Sequence, residues 1–581
     1  MTEKNDLFKH LPFCAAEYIR LVTKKMCYRR SVCEDVADEL AAHFEDELRD
    51  SQTPEEREKK SQDLIGQFGD PKLLAVLMRR AKKRCRPLWQ IIAERMLQTA
   101  GIAIVYFVLY CIYISLGQPV IRVNYVEKAN LITHPVADES LNAVNLYQKA
   151  IDNYKESPTI RELGQENREI RLSYAIRDKM WITELTENES AALKQWISDN
   201  TEAVEFFKQA AQKPYCWWQR KAKDNAMVAV LYPELSTIRN LVKLMIWDAK
   251  LKAYNGDIET AFNDLFICYR VGMHFKGPRA AIEQLVGLSI QSLANHTALV
   301  ILKEQVVDGE LLKRTQIEFE NLITNDTYVF NYDSEKLLAL DIIQRCYTDD
   351  GKGDGQTIPR EIKIYVSPIE LSLGLDTYHN QSNDPILEYR KSLWSLAIAL
   401  ASPDRQKTTE IVDNTFQIVQ QWANETPWQL KQKNIDVELG ISNWSAFKRT
   451  RLWILSMLLP SCEKLNQLAY GHKANAEAVI SVLAIIRHKQ DVGQFPKSLE
   501  ELADDGYLNK IPMDPYNDGP LVYRKTADDF ILYSVSRDFK DDNGQDIRDS
   551  TGKIESWPDK GDMVFWPLYN SDGTVIKNAS N

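Results

Sequence analysis

The chain is poor in the residues that give a small protein its stability or an enzyme an obvious reaction centre. Nine cysteines in 581 residues are too few for a disulfide-built scaffold, and none forms a CxxC pair or a Cys/His metal spacing, so folding is not expected to depend on a structural metal. The eight histidines are scattered and never occur at ligand spacing. There is no HExxH, no GxSxG elbow, no GxxxxGK[ST] loop and no GxGxxG after a strand. These absences argue against the common metalloprotease, α/β-hydrolase, nucleotide-hydrolase and dinucleotide-binding classes, although a triad assembled from distant positions would escape such a search. A surplus of positive charge is also missing: the net charge is -10 and the pI about 5.6, which argues against a general nucleic-acid binder.

What the chain does contain is ample apolar material, 44% hydrophobic against 27% charged residues, enough for several folded domains. One uncharged run, "TAGIAIVYFVLYCIYISL" from Thr99 to Leu116, is about 27 Å long as a helix and predicts a single transmembrane span over 96–117. Arg79, Arg80, Lys82, Lys83, Arg84, Arg86 and Arg95 precede it, whereas the first stretch beyond it carries only Arg122 and Lys128. The positive-inside rule then predicts a cytoplasmic N-terminus, an uncleaved signal anchor in a bacterial inner membrane, and an exported, periplasmic C-terminal region. In that orientation Cys216, Cys268, Cys346 and Cys462 face an oxidising space where one or two disulfides are open to them.

The expected fold class is mainly α with a C-terminal α+β module. Residues 1–95 read as a small helical domain: Val32, Val36, Leu40, Phe44 and Leu48 form one stripe, "TPEE" starts a helix with Thr53 as N-cap and Pro54 at the first position, and "FGDPKLLA" stops one helix at Gly69 and starts another at Asp70. This order, followed by a basic stretch and an apolar helix, resembles the HAAS-type domain, which implies a regulatory role through a cytoplasmic protein partner; a merely solvated acidic face is the plainer alternative.

Residues 118–470 predict a helical body. "NAVNLYQKAIDNY" and "TEAVEFFKQAAQKP" share a pattern that resembles the second helix of a tetratricopeptide repeat, and "GDIETAFNDL" carries the matching tight turn, without a regular period. Such stacked hairpins imply a concave surface for a protein or cell-wall polymer. Within "YCWWQRKAK", Trp217, Trp218 and Arg220 are the candidate ligand-binding residues, aromatic planes beside a cation that suit a glycan or peptide; the competing reading divides the tryptophans between core and surface. The helix at 279–303 is apolar nearly all round and predicts a central position, with Glu283 on its apolar face either as a catalytic acid or as the partner of an Arg. "CYTDDGKGDGQTI" makes a poor calcium loop, because Lys352 stands at a ligand position, and 346–385 reads as a long connection.

The section 471–570, followed by a tail over 571–581, opens with a helix and the capped short helix "SLEELADDG", then turns, then the strand pair "LVYRK" and "FILYSV". "GQFPKSLEEL", "YLNKIPMDPYNDGPLVYR", "ILYSVSRD" and "GDMVFWP" resemble, in the same order, the globular part of the type II secretion major pseudopilin. The resemblance implies a calcium ion after the "YS" strand, held by Asp538 and Asp562 with Asp542 or Asp541 contributing. The chain lacks the family's cleavage site and long apolar N-terminal helix, so the module reads as a cap, not as a filament subunit. With the acidic loop and the "IEQLVG" helix it also resembles multi-domain envelope proteins of planctomycete-type bacteria, a likeness that implies no activity. Two functions stay open: a non-catalytic envelope protein that binds through its exported body and cap, or an exported hydrolase with carboxylates, Glu283 among them, in a helical cleft.

Overall fold

The computed structural model describes residues 8, 10–84, 88–135, 137–161, 169–366, 385–435, 443–545 and 560–568. The chain divides into two units, residues 1–112 and 113–581. It is mainly helical, with small antiparallel sheets.

In the first unit, α1 (Phe13–Met26), α2 (Arg30–Leu48), α3 (Pro54–Phe68) and α4 (Pro71–Arg84) enclose a core of Tyr18, Ile19, Val22, Val36, Leu40, Phe44 and Leu64. The local signals act as expected: the Thr53 hydroxyl accepts the Glu56 amide at 3.3 Å, Gly69 ends α3 at φ 77°, and Asp70 accepts the Lys72 amide at 2.8 Å. α5 (Leu88–Ser115) follows, with Ile102, Val105, Phe107 and Leu109 all exposed.

The second unit runs α6 (Tyr125–Thr133), α7 (Val144–Asn153), β1 (Thr159–Arg161), β2 (Glu169–Arg171), α8 (Leu172–Ala175), α9 (Glu187–Asp199), α10 (Thr201–Ala211), α11 (Glu234–Tyr254), α12 (Ile258–Met273), α13 (Ala281–Glu304), α14 (Gly309–Thr324), α15 (Asp333–Cys346) and α16 (Pro359–Ile362). Then come α17 (Pro385–Ala401), α18 (Arg405–Ala423), α19 (Pro427–Gln432), α20 (Ala446–Arg451), α21 (Trp453–Val492), α22 (Leu499–Asp504), β3 (Val522–Lys525), β4 (Phe530–Ser534) and β5 (Met563–Trp566). The two repeat-like segments, α7 and α10, pack on each other through Ala150, Ala203, Ala210 and an edge-to-face pair of Tyr147 and Phe207. α11 and α12 form a tight hairpin because Gly256 takes φ 90° and Asp257 caps the Thr260 amide. α12 then packs on α13 so closely that a Cβ on Gly287 would lie 2.6 Å from the Gly272 carbonyl oxygen.

The acidic loop expected to be part of a long connection is instead closed and tied down. Tyr347 bridges to Thr357, and Asp349 is held between Arg122 at 3.2 Å and Arg405 at 3.1 Å. Residues 367–384 of that expected connection, and the tail 571–581, lie outside the described residues.

The boundary drawn at 470/471 falls inside α21, a helix of 40 residues. Its later turns carry β3, β4 and β5, arranged in that order as an antiparallel sheet. Val479, Val482, Leu502, Phe530 and Trp566 share one core with Leu265, Phe266 and Leu299 of the body. Polar ties reinforce this: Lys303 pairs with Asp529 at 2.9 Å, and Gln316 donates to the Tyr507 carbonyl at 2.7 Å. "MDPYNDGP" is explained by Asp514, buried, whose carboxylate accepts the Ser534 hydroxyl and the Val535 and Tyr516 amides. No disulfide forms among the described cysteines; Cys216, Cys268, Cys346 and Cys462 are each buried.

Candidate functional site

The aromatic and cationic residues singled out in the sequence are engaged inside the fold. Trp217 donates its ring N–H to Thr133 at 3.1 Å and packs edge-on to His134. Trp218 stacks on Tyr147 and Phe275. The Arg220 guanidinium lies 4.4 Å from the Tyr232 ring centre and binds Glu234 at 2.7 Å and Glu283 at 2.6 Å. Glu283 also pairs with Arg279 at 3.3 Å. These groups border a cavity of about 60 Å³, room for a few waters at most. Glu335 faces it: one carboxyl oxygen accepts the Ala281 amide at 2.7 Å, the other has no hydrogen-bond partner, and burial together with the nearby Glu283 raises its pKa to about 7.

The predicted calcium residues do come to one loop. Asp562 is buried; its two carboxylate oxygens accept the amides of Asp542 at 3.3 Å and Gly544 at 2.7 Å. Asp538 accepts the Gly561 amide at 3.3 Å, next to Asp562. Burial, with Asp541 and Asp542 adding repulsion, raises the Asp562 pKa to about 6. The ligand oxygens of Asp538, Asp542 and Asp562 do not close into a tight cluster, and most of the insertion between Asp538 and Asp562, residues 546–559, lies outside the described residues.

The most substantial site is one that the sequence reading passed over. A cavity of about 700 Å³ opens between the α8 segment, α11, α13 and α21, well inside the size range of small-molecule pockets. Its walls are apolar: Ile176, Met180, Trp196, Ile246, Trp247, Leu285, Leu288, Leu293 and Leu468. Into it α11 sends Lys243, Trp247 and Lys250, spaced four and three apart on one face, while α13 contributes Ser289, Ser292 and His296, and α21 adds His472.

The electrostatics of this cavity are set by burial. Lys250 donates to the Met180 carbonyl at 2.8 Å and lies 4.3 Å from the Trp247 ring centre. Burial lowers its pKa to about 8, against the opposing pull of Glu304 and Glu184. Glu304 is correspondingly raised to about 7 by burial. His296 is held down to about 4 by burial and by the Lys250 charge, and His472 to about 3 by burial and by Lys276. Both imidazoles are therefore neutral at physiological pH. Lys243 is lowered by burial and by the repulsion of Arg239 and Arg177, and makes no ion pair among the described residues.

The lining charges are Arg177, Lys179, Lys243 and Lys250 against Asp178. Lys179 is neutralised by Glu189 at 2.5 Å, and Arg177 lies 3.4 Å from Asp178. Lys243 and Lys250 are left as the cations for which the fold supplies no carboxylate at contact distance among the described residues. An apolar chamber with two such amines suits a molecule that is mostly hydrocarbon and ends in an anionic group. No protein-family model matches the chain, and no curated protein or solved structure matches it either.

Proposed function

We propose that this protein is a membrane-anchored bacterial envelope protein whose exported helical body binds a small amphiphile with an apolar body and an anionic head. The observation that carries this reading is the cavity of about 700 Å³ with Lys243 and Lys250, which have no carboxylate at contact distance among the described residues. The exposed apolar face of α5 and the basic residues before it support a single membrane span with residues 1–95 in the cytoplasm. There the HAAS-like helices dock a protein partner. The long α21 carrying a three-stranded antiparallel sheet supports the pseudopilin likeness. Since that sheet shares the body's core, the module is a structural buttress of the binding body. Calcium at its loop fits the donor set, because Asp538 and Asp562 are hard oxygen ligands with Asp541 and Asp542 close by; a bound ion would brace the loop.

This reading gives Glu283 a structural role, since two guanidiniums hold its carboxylate. The test is binding of a long-chain fatty carboxylate to the full chain in lipid nanodiscs, followed by Trp196 and Trp247 fluorescence, beside the alcohol of equal length. Tighter binding of the carboxylate, weakened about tenfold by Lys243→Ala or Lys250→Met (about 1.4 kcal/mol), is the expected result. Equal affinity for acid and alcohol, unaffected by either variant, would reject the anionic-head reading.

A further inference from the structure

A second group of ligand-type side chains lies at the corner where α21 gives way to α22. His488, Glu501 and Asp505 each place one donor atom so that all three lie within 4.8 Å of one another. We propose that these three residues bind a divalent transition-metal ion, with Zn²⁺ the best match to one imidazole and two carboxylates.

Each ligand is placed by local structure. His488 sits near the end of α21, its side chain 3% exposed, and its Nδ1 is 3.0 Å from the Gln494 carbonyl oxygen. A carbonyl can only accept, so Nδ1 carries the proton and donates it. In the neutral ring that leaves the Nε2 lone pair facing the carboxylates, the arrangement in which metal-binding histidines are commonly held. Nε2 has no hydrogen bond among the described residues, and the nearest acid oxygen, of Asp505, is 3.8 Å away. A neutral imidazole lone pair directed at a carboxylate lacks an attractive partner; a cation between them supplies one.

Glu501 and Asp505 are four apart, so α22 and its C-cap bring both carboxylates to one side. Glu501 uses one oxygen to accept the Lys497 amide and keeps the other for a ligand bond. The Tyr507 ring packs edge-on to His488 at 5.2 Å and fixes the imidazole plane. Two carboxylates and a neutral imidazole carry a charge of minus two, which a divalent ion neutralises. Zn²⁺ ligands on bonds of ~2.0–2.1 Å lie about 3.3 Å apart in a tetrahedron, so rotation of the exposed Asp505 and the half-buried Glu501 side chains closes the site. The imidazole selects Zn²⁺ over the oxygen-seeking calcium proposed for the Asp538 and Asp562 loop. The amine of Lys525 is drawn off to the Phe495 carbonyl at 2.7 Å and does not occupy the position.

The experiment is calorimetric titration of chelator-washed full chain with Zn²⁺, and separately with Co²⁺ while the visible absorption of the metal is followed. One equivalent is expected to bind, with affinity lowered at least about tenfold in Asp505→Asn and in His488→Gln, and unchanged in Asp562→Asn. Asp505 is exposed, so its variant reports on binding even if His488→Gln disturbs the core. Failure to bind either ion saturably, or unchanged affinity in Asp505→Asn, would overturn the proposal.

Discussion

Two helices in this chain are each long and apolar enough to cross a bilayer, yet the window that qualifies Ile91–Ser115 is 6% buried and that of Ala281–Glu304 is 72% buried. Length and hydropathy do not separate them. Their polar content does: the second carries Glu283, Gln284, Gln291, Asn295, His296 and Lys303. Glu283 is met by Arg220 and Arg279, Gln284 by the Arg279 and Asn331 carbonyls, Gln291 by Asp326 and Lys303 by Asp529. In a bilayer those groups would lose these partners. An apolar helix studded with polar groups at matched positions is the centre of a protein core; in α5 the polar residues Glu94, Arg95 and Gln98 all precede the uncharged run, and that run stays exposed.

The sharpest way to break this comparison is to give each helix the same unpartnered charge. Ala298→Asp places a carboxylate at a position with no exposure, and should cost more than about 4 kcal/mol, abolishing the cooperative melting of the helical body. Ala103→Asp in α5 should leave that melting unchanged while releasing protein from the membrane fraction, because insertion then costs about 2.5–3.5 kcal/mol.

Protonation comes next. His296 and His472 have pKa values lowered to about 4 and about 3, so the unfolded chain takes up their protons first as pH falls. The stability they contribute is complete above pH 6.5 and is lost as pH falls from 6.5 to about 4 for His296 and to about 3 for His472, up to about 3 kcal/mol for His296 at ~1.4 kcal/mol per unit. Glu335, raised to about 7, acts with the opposite sign: its contribution is present below pH 4.5 and lost as pH rises through 7. Denaturant midpoints measured against pH should show a shallower acid fall in His296→Gln and lose the fall toward pH 7 in Glu335→Gln.

A gentler contrast uses glycine. Gly287→Ala drives a methyl into the Gly272 carbonyl and should destabilise by about 1–3 kcal/mol, whereas Gly101, with nothing within 4 Å of the added Cβ, should tolerate Ala with no loss. The smallest effect concerns the cavity that α13 lines. Amphiphile affinity should fall as pH rises through about 8, where Lys250 loses its proton, and the Lys250→Met variant should bind with a flat profile over that range.

Some features were legible because they depend on residues a few positions apart. The caps at Thr53 and Ser498, the turn at Gly69 and the strand pair of β3 and β4 all follow from short-range hydrogen bonding and alternation. The pairing of Glu283 with an arginine was anticipated from the cost of burying a lone carboxylate, although nothing in the sequence indicated that both Arg220 and Arg279 would serve. The cavity was not legible: its lining comes from residues as far apart as Ser173 and His472, and single lysines or histidines on a helix carry no mark of a common chamber. The boundary at 470/471 was drawn where a helix opens the C-terminal section, and its local pattern does not reveal that α21 runs through both parts without a break.

By itself, then, the amino-acid sequence determined the mainly helical character, the capped ends and the two apolar helices, since propensity, capping and hydropathy are properties of neighbouring residues. Only the tertiary structure decided which apolar helix is sheathed, which cations meet no carboxylate among the described residues and where an empty volume remains, because burial, pairing and cavities are relations among segments that meet only after the chain has folded.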